Sequence, residues 1–145
     1  MVMGKDAEMT HQPLTKEDFK QCRDIILELE QLEELLTRQR ARIENPRQAL
    51  SRDSIKTRNP RMVEEMMNRY IRLEQKYDML RSNLIDIQIQ VEETIEKLDS
   101  KERILMRAYY IEGKSWKEVA DYMGYSEDNI YKIHGDIWRK IRRLQ

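Results

Sequence analysis

Apolar residues recur at helical spacing over two long stretches of the chain. From Thr15 onward, Cys22, Ile25, Leu29, Leu32, Leu36 and Ile43 fall on one face, with Gln39 as the polar intruder. Such intervals stack side chains along one side of a helix. Thr15 followed by Asp18 is a variant capping box and marks the start. Asn45-Pro46 marks the end, because a residue before proline avoids the helical region. A second, cleaner seam runs through Val63, Met66, Tyr70, Leu73, Tyr77, Leu80, Leu84, Ile87, Val91 and Leu98, broken only at Thr94. Pro60 suits the first turn of that helix. At about 1.5 Å per residue it would be roughly 55 Å long. A seam of this length signals a coiled coil.

The simplest arrangement of the two is an antiparallel hairpin over residues 15–98. Met67, Ile85, Ile89 and Ile95 flank the seam and are left over. They call for a third element or a second chain, so a homo-oligomer is expected, a dimer first. Cys22 and the methionines read as core filler. Residues 1–14 read as a flexible N-terminus. Residues 45–60 read as a basic loop, bracketed by prolines and without a period.

The pattern changes at Asp99. Seven of the ten aromatic residues lie beyond it, as do three of the four glycines, at 113, 124 and 135. Many large side chains in a short segment can build a small core of their own. Asp99 or Ser100 caps a helix through Ile104, Leu105, Ala108, Tyr109 and Ile111, closed by Glu112-Gly113. Ser115 with Glu118 is a capping box for a second helix, Trp116 to Tyr122. Gly124 supplies the left-handed residue of a tight turn. Ser126 caps a third helix, with Ile130, Ile133, Ile137 and Ile141 on one face. Ala120 is small enough to sit where the two helices cross, with Ile130 beneath. Short helix, glycine turn, longer helix is a helix-turn-helix. The expected fold is all-α: a long hairpin, then a three-helix domain over residues 99–145. Trp116, Tyr109, Tyr122 and Trp138 are expected in its core. His134 is open to a phosphate contact or a packing role. Gly135 is open to close backbone approach, a helix end or a bend.

Charge adds detail. Lys+Arg and Asp+Glu each total 27 in 145 residues, so net charge announces no partner. The balance is uneven, however: residues 45–61 and the C-terminal turn with Arg139, Lys140, Arg142 and Arg143 are locally positive. Such patches meet phosphates. A single cysteine excludes an internal disulfide and fits a reducing cytoplasm. With 2 His beside it, a structural metal site is nearly excluded. No apolar run is long enough for a membrane span or a signal peptide. No phosphate loop, catalytic triad or metal-spaced cluster points to an enzyme or a cofactor.

The stretch LDSKERILMRAYYIEGKSWKEVADYMGYSEDNIYKIHGDIWRKIRRL resembles region 4 of bacterial sigma factors. It carries the leading L-x-x-x-E-R, the G-K-S-x-K-E-V-A-x-x-M-G-Y-S centre and the closing R-K-I-R-R-L. The whole chain is similar to small sigma-like or late-gene regulator proteins of phages and prophages of Gram-positive bacteria. This resemblance implies double-stranded DNA as a partner, with host RNA polymerase as a further one.

In a helix-turn-helix the second helix enters the major groove and its first turns meet base edges. Those residues are Glu127, Asp128, Asn129, Tyr131 and Lys132. Asn129 suits adenine, Lys132 guanine, and either carboxylate a cytosine amino group. Lys114, Lys117, Ser126, Arg139, Lys140, Arg142 and Arg143 are the candidate phosphate contacts. The sequence departs from sigma factors in placing Glu127 and Tyr131 where basic residues are usual. One domain is therefore expected to bind weakly, with avidity from a dimer.

A complete sigma factor is disfavoured, because no promoter-melting domain is visible. Two alternatives to a transcription regulator remain. One is a small terminase subunit recognising viral DNA for packaging, disfavoured by the order of its parts. The other is a protein-interaction module with an inert helix-turn-helix.

Overall fold

A computed structural model describes residues 14–45 and 60–144. Among the described residues the chain is all-helical. Helix α1 spans Lys16–Glu44, α2 Pro60–Ile95, α3 Ser100–Met106, α4 Trp116–Met123 and α5 Glu127–Leu144. Between α3 and α4 lies one π-helical turn, Arg107–Ile111. Most of the expected loop 45–60, and the N-terminal residues through 13, fall outside the described residues.

The local signals act where the sequence puts them. Asp18 Oδ2 accepts from the Thr15 amide at 2.8 Å, and Thr15 Oγ1 accepts from the Asp18 amide at 3.3 Å. Each bond satisfies a backbone donor that a helix start leaves orphaned. At α3, Glu102 Oε1 accepts from the Asp99 amide at 2.9 Å. At α4, Ser115 and Glu118 exchange the reciprocal pair at 3.1 and 3.2 Å. Hydrogen bonds from the Ser115 amide, first, and its hydroxyl hold the Glu118 carboxyl below its usual pKa range. Gly124 closes α4 at φ +75°, and the Tyr125 amide reaches back to the Ala120 carbonyl at 3.0 Å. Ser126 Oγ accepts from the Asn129 amide at 3.2 Å and starts α5.

The chain divides into two compact units. The first comprises the described residues up to Ile26 together with Ile85 onward; the second is Leu27–Leu84. In the second unit the helices of a hairpin meet. Lys76 Nζ lies 4.0 Å from Glu28, and Arg40 donates to the Tyr70 hydroxyl at 3.0 and 2.7 Å. Partner numbers fall on α2 as they rise on α1, which makes the pair antiparallel. Leu29 and Leu32 are the buried apolar side chains described in this unit.

The first unit has the larger core. Phe19, Cys22 and Ile25 of α1, Val91 and Ile95 at the end of α2, and Leu98 in the turn after it are buried there with the C-terminal helices. From those helices come Leu105, Met106, Ala108, Tyr110, Val119, Ala120, Ile130, Ile137, Trp138 and Ile141. Ala120 and Ile130 are both enclosed at the helix-turn-helix crossing, as their sizes led one to expect. Burial pushes the Cys22 thiol up to about 11, so it stays protonated and inert.

Several sequence expectations need correction. Ile95 is not a leftover position; it is fully buried, and α2 ends there instead of running on to Leu98. Met79 is 70% exposed and fills no core. Tyr122 is not a core residue; it is 68% exposed, with the Lys114 ammonium 4.3 Å from its ring centre. The helix after Asp99 does not continue regularly to Glu112. The Glu112 amide bonds to the Arg107 carbonyl at 2.8 Å, five residues back. That one wide turn shifts the face that follows it, so Tyr110 goes inside; Ile104, on the regular helix before the turn, is exposed. Gly135 marks neither an end nor a close approach: α5 runs through it, and a Cβ there would meet nothing within 4 Å.

Candidate nucleic-acid interface

All five expected base-reading residues lie on the first turns of α5 and are exposed: Glu127, Asp128, Asn129, Tyr131 and Lys132. They are brought together because Ile130 and Ile137 pin the opposite face of the helix into the core. Ser126 is occupied as the helix cap, so its hydroxyl accepts from the backbone while remaining exposed.

The expected phosphate contacts divide into two groups. Lys117, Arg142 and Arg143 are exposed. Lys140 turns inward and pairs with Glu102 at 2.8 Å and Asp99 at 3.4 Å, which raises its pKa. It ties α5 to the start of α3. Arg139 pairs with Asp136 one turn earlier on the same helix. Lys114 pairs with Glu112 at 3.1 Å besides covering the Tyr122 ring. Three of the seven are thus held by internal acids.

An aromatic belt supports the exposed face. Tyr109 stacks on Trp116 with centroids 3.6 Å apart, and Trp116 meets Tyr131 edge-on at 5.7 Å. On the other side of Tyr109, the Arg23 guanidinium lies 3.9 Å from the ring centre. Arg23 also donates to the carbonyls of Tyr109 at 2.5 Å and Lys114 at 2.9 Å. Tyr109 lies in the π turn and Lys114 just beyond it, and the two N–H groups of one guanidinium nitrogen, Nη1, satisfy both carbonyls. A contact train therefore runs from α1 to Tyr131 on α5. Phe19 adds edge-on contacts to Tyr110 at 5.3 Å and Trp138 at 4.9 Å.

His134 has a packing role. Its Nε2 accepts from Trp138 Nε1–H at 3.0 Å and lies 2.7 Å from the Tyr110 hydroxyl. An indole N–H only donates, so Nε2 is unprotonated and the ring is neutral. Burial, with a smaller contribution from the Lys16 charge, lowers its pKa to about 4. The Tyr110 hydroxyl is pushed up to about 12 by burial.

No local motif marks Phe19 or Tyr110 as part of this site. A signal for Arg23 does exist. Lys16, Lys20 and Arg23 form a basic stripe at i, i+4 and i+7 in an otherwise acidic segment. Among the described residues there is no cluster of three or more His, Cys, Asp or Glu able to hold a metal ion. No described helix is long and apolar enough to cross a membrane.

Residues 88–132 match the family model of sigma-70, region 4. The match begins in the last turns of α2, takes in α3, the π turn and α4, and ends at Lys132 on α5. It contains the complete turn of the helix-turn-helix and the five exposed residues at the start of α5. It covers less than half of the chain and leaves out α1 with Phe19 and Arg23. No curated protein and no solved structure matches the chain.

Proposed function

We propose that the protein is a sequence-specific DNA-binding transcription regulator of a phage or prophage. Its region 4 segment docks α5 in the major groove of double-stranded DNA. Carrying this reading is the exposure of Glu127, Asp128, Asn129, Tyr131 and Lys132 on the leading turns of a helix whose other face is buried. That is the presentation base readout requires. Lys117, Arg142 and Arg143 supply phosphate contacts, which set affinity without reading sequence. The phage setting rests on the resemblance of the whole chain to small sigma-like regulators. Host RNA polymerase is the partner that a region 4 segment implies.

The hairpin serves self-association. Supporting this is the apolar surface α2 leaves open at Val63, Met67, Ile71, Ile85 and Ile89. A dimer also compensates for the two carboxylates at the start of α5, since linked sites gain avidity.

Selection of bound fragments from the native genome, followed by footprinting, identifies the operator. On that operator, Asn129→Ala with Lys132→Ala removes the preference over unrelated DNA. Arg142→Ala with Arg143→Ala weakens binding to all sequences alike and flattens its salt dependence. Unchanged DNA retention in all four substitutions would instead favour a protein-interaction module.

A further inference from the structure

The basic stripe on α1 is only partly used by the fold. Arg23, its third member, is anchored on the Tyr109 ring and two carbonyls. Lys20 and Lys16, one and two turns earlier, keep exposed side chains. They border a cavity of about 220 Å³ whose walls include Tyr109, Trp116, Tyr131 and His134. Tyr131 is one of the candidate base-readers of α5. The two lysines therefore flank the recognition helix, held there by Arg23 and by the edge-on contacts of Phe19. Electrostatics agree with the placement, since the Lys16 charge is felt at His134.

We propose that Lys16 and Lys20 form a phosphate-binding rim, making the start of α1 a second DNA-contacting element beside α5. The proposal rests on the DNA-binding reading above and extends it to residues outside the region 4 match. A B-form major groove is about 12 Å wide, so a helix lying in it is walled on both sides by sugar-phosphate backbone. Cations flanking that helix at side-chain distance meet phosphates. The need for them is specific to this chain. Glu127 and Asp128 place two carboxylates at the entry of α5, while Lys114 and Lys140, whose side chains are only about one-third exposed, are paired with acids of the same chain. Lys20 itself has one nearby competitor, Glu17 at 3.7 Å, and both side chains are more than half exposed. A phosphate can replace so exposed a pair with little loss.

The test uses the full chain and a duplex of mixed sequence, with affinity measured across a salt series. Each lost phosphate contact lowers the slope of log affinity against log salt by about 0.9. Lys16→Gln with Lys20→Gln should therefore lower it by about 2, with the melting temperature and any operator preference unchanged. Glu17→Gln, which frees Lys20, should tighten binding. If the double variant keeps the parental slope while Arg142→Ala with Arg143→Ala flattens it, the rim is refuted and the DNA reading stands. The lysines would then belong to some other contact, such as an acidic protein surface. If the parental protein retains no duplex at all, both fall together.

Discussion

The two compact units are built from the same pair of long helices and differ in what those helices find to pack against. Among the described residues of 27–84, α1 and α2 have only each other. Two cylinders touch along one line, so Leu29 and Leu32 are buried while Val63, Met67 and Ile71 stay open. The cross-helix polar contacts there, Glu28 with Lys76 and Arg40 with Tyr70, are exposed, so solvent screens them and they add little. In the other unit the ends of the same helices meet three short ones. Phe19, Cys22, Val91 and Ile95 become fully enclosed. Amphipathic helices gain most of their stability from the partner that covers the apolar face, and little from the helix itself. The short helices α3 to α5 thus supply the covering that the hairpin lacks.

The contrast can be broken most forcefully at Phe19. Phe19→Ala should cost about 3–5 kcal/mol, since truncating a buried ring leaves a cavity. Thermal unfolding followed by near-ultraviolet dichroism of the tryptophans reads the loss; a change under 1 kcal/mol would show the aromatic core to be independent of α1. Leu32→Ala, in the hairpin unit, should cost about 2 kcal/mol, at the low end for such truncations because one side of the site is near solvent. Its signature is faster amide exchange within 27–84, with the near-ultraviolet signal of Trp116 and Trp138 retained. Loss of both signals together would mean that the units unfold as one.

The smallest expected effect is on pH. His134 has a folded pKa of about 4, below its unfolded value of about 6.5. The unfolded chain therefore binds more protons between these values, and stability rises with pH across that window. It is complete above about pH 6.5 and is lost as pH falls towards 4. With allowance for partial exposure, the loss is about 1–2 kcal/mol. His134→Gln should flatten this part of the stability profile, measured by denaturant titration. An identical slope in the variant would assign the effect to other groups.

What the sequence disclosed was local. Thr15, Ser115, Ser126 and Gly124 act on the backbone within four residues of themselves, so their caps and turn are readable without a fold. The exposed start of α5 follows from its cap and from the spacing of Ile130, Ile137 and Ile141. Long-range choices were hidden. No residue type marks Arg107–Ile111 as a π turn; it widens so that Tyr110 enters the core while Tyr109 lies between Arg23 and Trp116. Lys140 looks like a phosphate ligand until Asp99 and Glu102, about 40 positions earlier, arrive beside it. Ile95 looks superfluous on α2 because what buries it comes from elsewhere in the chain.

Arg23 joins two stretches of chain some 86 residues apart, through the Tyr109 carbonyl. A gene fragment opening at Asp99 would encode all of α3 to α5, yet it would leave the exit of the wide turn unlatched and Trp138 without the Phe19 ring. Transplanting this C-terminal unit onto another scaffold therefore means carrying over two separate stretches of chain, the opening turns of the first helix and the final third.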